Sequence, residues 1–516
     1  MALIMADEKK IAKEIDTNIN YIKDKLGIGE TFDIIFREYR VGRKRAASFS
    51  INGMTNDVVL SNVFEELTAY NQEELTINTM QKLFYSRATH SQAKLVENMN
   101  DAVTSLLSGE LLFFVDGEEQ VIVLDARSYP ARTPAESNIE KVTRGSRDSF
   151  VETLVFNTAL IRRRLRDPNL RFEIVKIGTR SQCDIAVCYI KDITNSDLVA
   201  TVKDRLNNIN IDGIPMAEKA IEEYIVAGSK WNPLPKVRYT ERPDVAAVHL
   251  LEGHVCVLVD TSPNIMILPT TLWHHVQHVE EYHQNVVVGS YLRLVRLAGV
   301  ILSLILPPLW LALVLNRHLL PESLSFLGPQ DSGVIPIGIQ FILAEFGIEL
   351  VRMATVHVPT AQSTALGFIG AFMLGEFATK VGLFGNEIIF YTAVAAVGAF
   401  ATPSMEFAMA MRLFRVMIIV LVMMFKLPGF IGGIAAVFLL MLTTKSFNIP
   451  YLWPLLPFNF SAMKDVLFRL PIPNKILRPA VLKPQDQDRL ESAGVKNNKQ
   501  DDTDDKDNNK KKDKKK

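Results

Sequence analysis

Residues 338–352 read GIQFILAEFGIELVR, a stretch apolar enough for a bilayer that nonetheless carries Glu345, Glu349 and Arg352. Read as a helix, Glu345 and Glu349 stand one turn apart and Arg352 follows seven residues after Glu345, so the three share a stripe. Gln340 lies about 140° from Glu345 at 3.6 residues per turn. The other surface offers Ile342, Phe346 and Leu350 to lipid or neighbouring helices. A charge near mid-bilayer costs roughly 2.5–3.5 kcal/mol on insertion scales, so such groups face protein or water. Arg352 is expected at the cytoplasmic boundary with Glu349 as its partner, while Glu345 has no equally obvious one. The stripe reads as an ion path, a proton-sensitive site or a buried interhelical network.

The surroundings favour a membrane. Residues 297–457 are dominated by Leu, Ile, Val, Phe, Ala, Met and Gly. Leu297 to Leu315 is 19 residues without an ionisable side chain, long enough to cross a hydrocarbon core of about 30 Å. Pro307 and Pro308 predict a kink or unwound turn at its middle. Further spans are expected near 333–352, 362–379, 387–402, 412–426 and 429–443, the last two separated by Lys426-Leu427-Pro428-Gly429 as two crossings or a re-entrant hairpin. Six crossings from a cytoplasmic start place Arg293, Arg296, Arg352, Arg412, Arg415, Lys445, Lys464 and Arg469 inside, in keeping with the positive-inside rule; four or five crossings also fit. Glu376 with Lys380, and Glu406 with Arg412 and Arg415, extend the polar interior, so the ion-path candidates are Glu345, Glu349, Arg352, Glu376 and Glu406.

The front half alternates period. Ile11, Ile15, Ile19, Ile22 and Leu26 suggest helix over 8–38, a polar break covers 48–57, and helical text follows. GELLFFVDGEEQVIVLDARSYP from 109 reads as a hairpin turning at Asp116-Gly117. SFVETLVFNTALIRRRLRDPNL predicts a helix of about five turns stopped near Asp167-Pro168. FEIVKIGT, CDIAVCYIKDI and HVCVLVD read as strands, with helices at 196–209, 215–226 and 242–250. The fold class is therefore an α/β or α+β cytoplasmic N-terminal region followed by an all-helical polytopic membrane domain. Its parts are a helical subdomain over 1–105, an α/β region over 106–292, a membrane domain over 293–445, an exit segment over 446–483, and a charged tail over 484–516 that cannot form a core.

Equal numbers of acidic and basic residues argue against nucleic acid as a partner. Three cysteines without a CxxC read as buried small hydrophobes. No GxGxxG, Walker A, GxSxG or HExxH occurs, so an enzyme, a cofactor or a metal has no anchor. LWHHVQHVEEYHQ, read as a helix, would put His274, His278 and Glu281 on one face; metal ligation, a pH-responsive contact and interfacial packing are the alternatives, with packing favoured beside the apolar block.

VTRGSRDSFVETLVFNTALIRRRLRDPNL at 142–170 resembles the signature of the GerA family of spore-germinant receptor A subunits. CDIAVCYIKDI, DGIPMAEKAIEEYI, the run from VRYTERPDVAAVHL to HHVQHVEEYHQ, and NIPYLWPLLPFN extend the likeness through nearly all but the tail. The resemblance implies a multi-pass protein of the spore inner membrane with a cytoplasmic N-terminal region. It also implies self-assembly into an oligomeric, pentameric cation channel of germination, a small membrane partner, contact with germinant receptors and with lipid, and no catalytic residue. It marks Arg144, Arg147, Glu152, Asn157, Arg162, Arg163 and Arg164 as oligomer or gating candidates, and GSRD stands at 145–148 where many relatives resemble GPRE. An ion-coupled transporter and a non-conducting scaffold are the competing functions.

Overall fold

The computed structural model describes residues 9–68, 80, 83–84, 93–129, 140, 142–228, 230–319, 328–329, 334–357 and 378–489. Its front half repeats one plan twice. The first unit runs α1 (Ile15–Leu26), β1 (Ile34–Val41), β2 (Lys44–Ile51), α2 (Asp57–Thr68), β3 (Ala93–Val96), α3 (Met99–Leu107), β4 (Leu111–Val115) and β5 (Val121–Leu124). The second runs α4 (Leu154–Arg164), β6 (Leu170–Ile177), β7 (Cys183–Ile190), α5 (Ser196–Asn207), α6 (Ala217–Ile225), β8 (Arg238–Thr240), α7 (Pro243–Glu252), β9 (Val255–Val259) and β10 (Ile265–Leu268). The sheet orders are β1-β2-β4-β5-β3 and β6-β7-β9-β10-β8, antiparallel throughout, so adding five to each strand number converts one into the other.

Local chemistry sets the element ends. Gly27 ends α1 at φ +63° and donates its N–H back to Lys23. Asn98 and Asn195 cap α3 and α5 by accepting from the N–H two residues on. Strands β4, β5, β9 and β10 are buried along their whole length and are correspondingly apolar.

The expected helical character of 1–105 is corrected, because β1, β2 and β3 lie there and pair with β4 and β5 from beyond residue 105. The isoleucine spacing is real but belongs to α1 and the residues just before it, and all five of those side chains enter the first core. Strand β2 was hidden because Ser48 and Ser50, small enough for a core strand, are buried in it and made 48–57 look like a break. Helix α4 has 11 residues rather than five turns. The Asn157 side chain holds the Val151 N–H at 2.8 Å and its carbonyl at 2.6 Å, fixing an extended lead-in.

Buried Arg162 joins the two units, and buried Arg171 reaches Glu30 across the same junction at 3.3 Å. Arg162 of α4 donates to Asp33 at 2.8 Å, to the Asp167 carbonyl at 2.9 Å and to the Leu170 carbonyl at 3.1 Å. Phe32 N–H meets the Phe172 carbonyl, and the Phe172 N–H meets the Thr31 hydroxyl, continuing the contact.

The back half is helical: α8 (Val286–Leu315), α9 (Ile337–His357), α10 (Asn386–Phe400), α11 (Met405–Thr443) and α12 (Phe460–Leu467). Helices α8 and α11 are long and apolar enough to cross a membrane. Helix α11 folds back on itself. Lys426 has φ 54° and ψ −132°, a Cβ on Gly429 would run into the Leu421 carbonyl, and one on Gly433 would meet the Ile418 side chain at 3.0 Å. Residues eight and fifteen apart touch only if the chain reverses, so α11 is a hairpin of arms 405–425 and 427–443, about 31 and 25 Å long at 1.5 Å per residue. Pro428 starts the second arm, where its missing N–H has no intrahelical partner to lose. Residues 426–429 are thus the turn of a helical hairpin, a geometry shared by two crossings and by a re-entrant hairpin. The span expected near 362–379, and with it Glu376, lies almost wholly outside the described residues.

Candidate functional site

The polar stripe of α9 faces the first arm of α11. Glu345 meets Arg415 at 2.7 Å, with side chains 3% and 1% exposed. One turn on, Glu349 binds Arg412 of that arm and Arg352 of its own helix, the latter Nε at 3.0 Å. The rungs 345–415 and 349–412 run in opposite senses, as antiparallel helices require. Carboxylates spaced by four thus meet guanidiniums spaced by three, and Glu345 does have a partner.

Arg415 has a second task. Its Nη1 donates to the Ser303 carbonyl at 2.5 Å. Ser303 lies four residues before Pro307, and a helical carbonyl is normally met by the N–H four residues on, which proline lacks. Arg415 therefore supplies the donor that Pro307 withholds, and α8 continues through both prolines rather than unwinding as expected. The Ser303 hydroxyl turns back to the Val300 carbonyl at 2.8 Å. Gly398 of α10 lies so close to α8 that a Cβ would run into the Gly299 carbonyl. Glu345 Oε1 and Arg415 Nε are buried without a hydrogen-bond partner among the described residues, an arrangement costly in a medium of low dielectric.

A second polar node sits at the entry of α8. Glu281, fully buried, binds Arg293 at 2.6 Å and also Arg296. Arg293 reaches the carbonyls of Asp465 and Val466, and Arg469 N–H meets the Ser290 hydroxyl at 3.1 Å, so entry and exit segments share this node. Arg293 and Ser303 are ten residues apart, placing the inner pair about 15 Å along α8 from the entry.

The remaining candidates fall elsewhere. Gln340 is buried and bridges the Gly385 N–H and the Ile335 carbonyl. Glu406 is exposed and accepts from the Ser404 hydroxyl, so its expected grouping with Arg412 and Arg415 is corrected; it lines a cleft with Glu140, Arg238, Tyr239 and His274. Arg144, Arg147, Glu152 and Arg163 are exposed, Arg163 lying 4.6 Å over the Tyr129 ring. Arg164 binds Asp148 at 2.6 Å and the Ser146 hydroxyl at 2.7 Å, a contact that proline at 146 could not make. Thr143 N–H meets Glu280, which ties this signature loop to the segment entering α8.

The continuous helix read over 272–284 is also corrected. A 3-10 turn at Leu272–His275 and a single helical turn at Glu280–His283 replace it. His274 accepts the Thr271 N–H as a cap, His278 accepts the Glu280 N–H, and Glu281 serves the arginines. Among the described residues no group of three or more His, Cys, Asp or Glu is placed to hold a metal. The rings of His249, His254 and His274 meet edge-on or tilted with centroids 5.0–5.7 Å apart, and burial pushes all three imidazoles below their ordinary value.

A family model described as Bacillus/Clostridium GerA spore germination protein matches residues 20–481. The chain belongs to the GerA family. It is 42% identical to stage V sporulation protein AF of Bacillus subtilis (strain 168), over 92% of this chain and 96% of that one. It is 28% identical to spore germination protein KA of the same organism, over 91% and 87%. The crystal structure of the N-terminal domain of the A subunit of the Bacillus megaterium spore germinant receptor GerK3 is 29% identical, at a TM-score of 0.40 over half of this chain and 96% of that one. The resemblance drawn from 142–170 and its companion blocks is borne out, and family membership is consistent with a role in germination signalling and a place in a membrane.

Proposed function

We propose that this chain is a subunit of an oligomeric, multi-pass channel of the spore inner membrane that releases cations during germination. The observation that carries the reading is the Glu345–Arg415–Ser303 node, a buried ion pair seated where Pro307 withholds a hydrogen bond from the ladder of α8. A soluble helix bundle gains little from such a pair, whereas an ionisable pair held inside membrane helices is a functional-site signature. In the paired geometry Arg415 occupies one oxygen of the carboxylate that a passing cation needs, so the node reads as a closed state. Opening requires Arg415 to leave Glu345, and that movement strips the Ser303 carbonyl of its donor.

Oligomerisation, pentameric in the family's expected form, a small membrane partner and contact with germinant receptors belong to the same proposal, as do a cytoplasmic front half, a membrane domain over 293–445, an exit segment over 446–483 and a charged tail over 484–516. The loop at 143–148, held by Arg164 and bound to Glu280, would carry a signal from that half to α8. Reconstitution into liposomes tests the function. Cation flux without coupled solute uptake supports it; saturable ion-coupled uptake of a solute, or no flux from a correctly assembled oligomer, rejects it.

A further inference from the structure

The loop between α6 and β8 lies along the end of the second arm of α11. Asn232 donates its side-chain amide to the Thr444 hydroxyl at 2.8 Å. Leu234 packs into the core shared by α8, α10 and α11. The Lys236 carbonyl accepts from the Ser446 hydroxyl at 2.6 Å. Three tethers thus fix this loop at the level where α11 ends, and Pro233 and Pro235 limit its freedom further. At its tip Trp231 is 94% exposed, the most exposed large apolar side chain described. Lys230 beside it and Lys445 just past α11 are exposed as well.

An indole costs free energy in bulk water, yet is favoured at a membrane interface where one edge is apolar and the other wet. Cations beside it suit anionic headgroups. We infer that the Lys230–Trp231 tip is a lipid-interface anchor, with Trp231 set in the headgroup region of an anionic bilayer so that the second α/β unit is held against the membrane surface. The inference rests on the helices crossing a membrane, and flotation of the protein with vesicles tests that separately.

The test is the full-length chain in nanodiscs of phosphatidylcholine and phosphatidylglycerol brominated on the upper acyl chain. Subtracting the tryptophan emission of Trp231→Phe from that of the wild type isolates Trp231. The anchor predicts that this component is blue-shifted, strongly quenched by the brominated lipid and little affected by aqueous iodide. Iodide quenching without bromine quenching overturns it. Shielding from both quenchers also overturns it, by placing a protein surface over the tip. Trp231→Tyr gives the same subtraction while keeping an interfacial aromatic, should the phenylalanine variant assemble poorly.

Discussion

Replacing Arg415 with methionine isolates the inner node, because the apolar stem is kept and the charge is lost. Two groups are then stranded. The Glu345 carboxylate, 3% exposed, loses its countercharge, and breaking a buried pair from one side costs about 3–5 kcal/mol. The Ser303 carbonyl loses its donor, and an unsatisfied buried acceptor costs about 1–3 kcal/mol. Adding Glu345→Gln removes the first cost but not the second. Adding Pro307→Ala instead gives the Ser303 carbonyl an intrahelical N–H, removing the second cost but not the first. Thermal unfolding of the purified protein in detergent should therefore show Arg415→Met as the least stable variant. Each second substitution should raise its midpoint, the glutamine more than the alanine. Strictly additive effects, or an Arg415→Met midpoint equal to wild type, would refute the proposition that one guanidinium serves both groups.

Three further outcomes follow from other places. His275 lies between the rings of Phe407 and Tyr451, and burial, helped by the charge of Arg238, lowers its imidazole to about 3. The folded state prefers the neutral ring, so its stability is full above the ordinary value near 6.5 and is lost as pH falls from there toward about 3. His275→Phe should flatten the acid limb of a stability profile read by intrinsic fluorescence. Arg162→Met leaves the buried Asp33 carboxylate without its countercharge and with the Thr31 hydroxyl as its remaining side-chain donor, costing about 3–5 kcal/mol, and should expose the junction between the two α/β units to faster amide exchange around Thr31–Asp33 and Phe172. Gly398→Val should block the close approach of α8 and α10 and abolish monodisperse elution on gel filtration, whereas Gly432→Ala, with nothing within 4 Å, should elute as wild type.

Regular periodicity was the legible part of this chain. The β4–β5 hairpin, strands β6, β7 and β9, and the apolar helices α8, α9, α10 and both arms of α11 lie near where their patterns place them, whereas β8 and β10 were not expected. Strands β1 and β2 were missed because burial of Ser48 and Ser50 disguises β2, and because edge strand β1 carries the exposed charges Arg37, Glu38 and Arg40 and so lacks a clean alternation. The repeat of the two units is invisible to residue patterns, since strand order is a property of pairing across the sheet. Glu345 and Glu349 were conspicuous as charges in an apolar run, but their partners lie 70 and 63 residues away. The signal was present in the complementary spacing of Arg412 and Arg415, which were assigned instead to nearby Glu406. The task of Arg415 at Ser303 required Pro307 to be placed beside the same arm, and only the packed helices do that.

Single-channel recording from the reconstituted oligomer, wild type beside Glu345→Gln and Glu349→Gln, bears most directly on the proposed function. The account predicts a cation-selective conductance in the wild type and a changed conductance, selectivity or pH response once Glu345 is neutral. The same conductance, selectivity and pH response in both variants would contradict it.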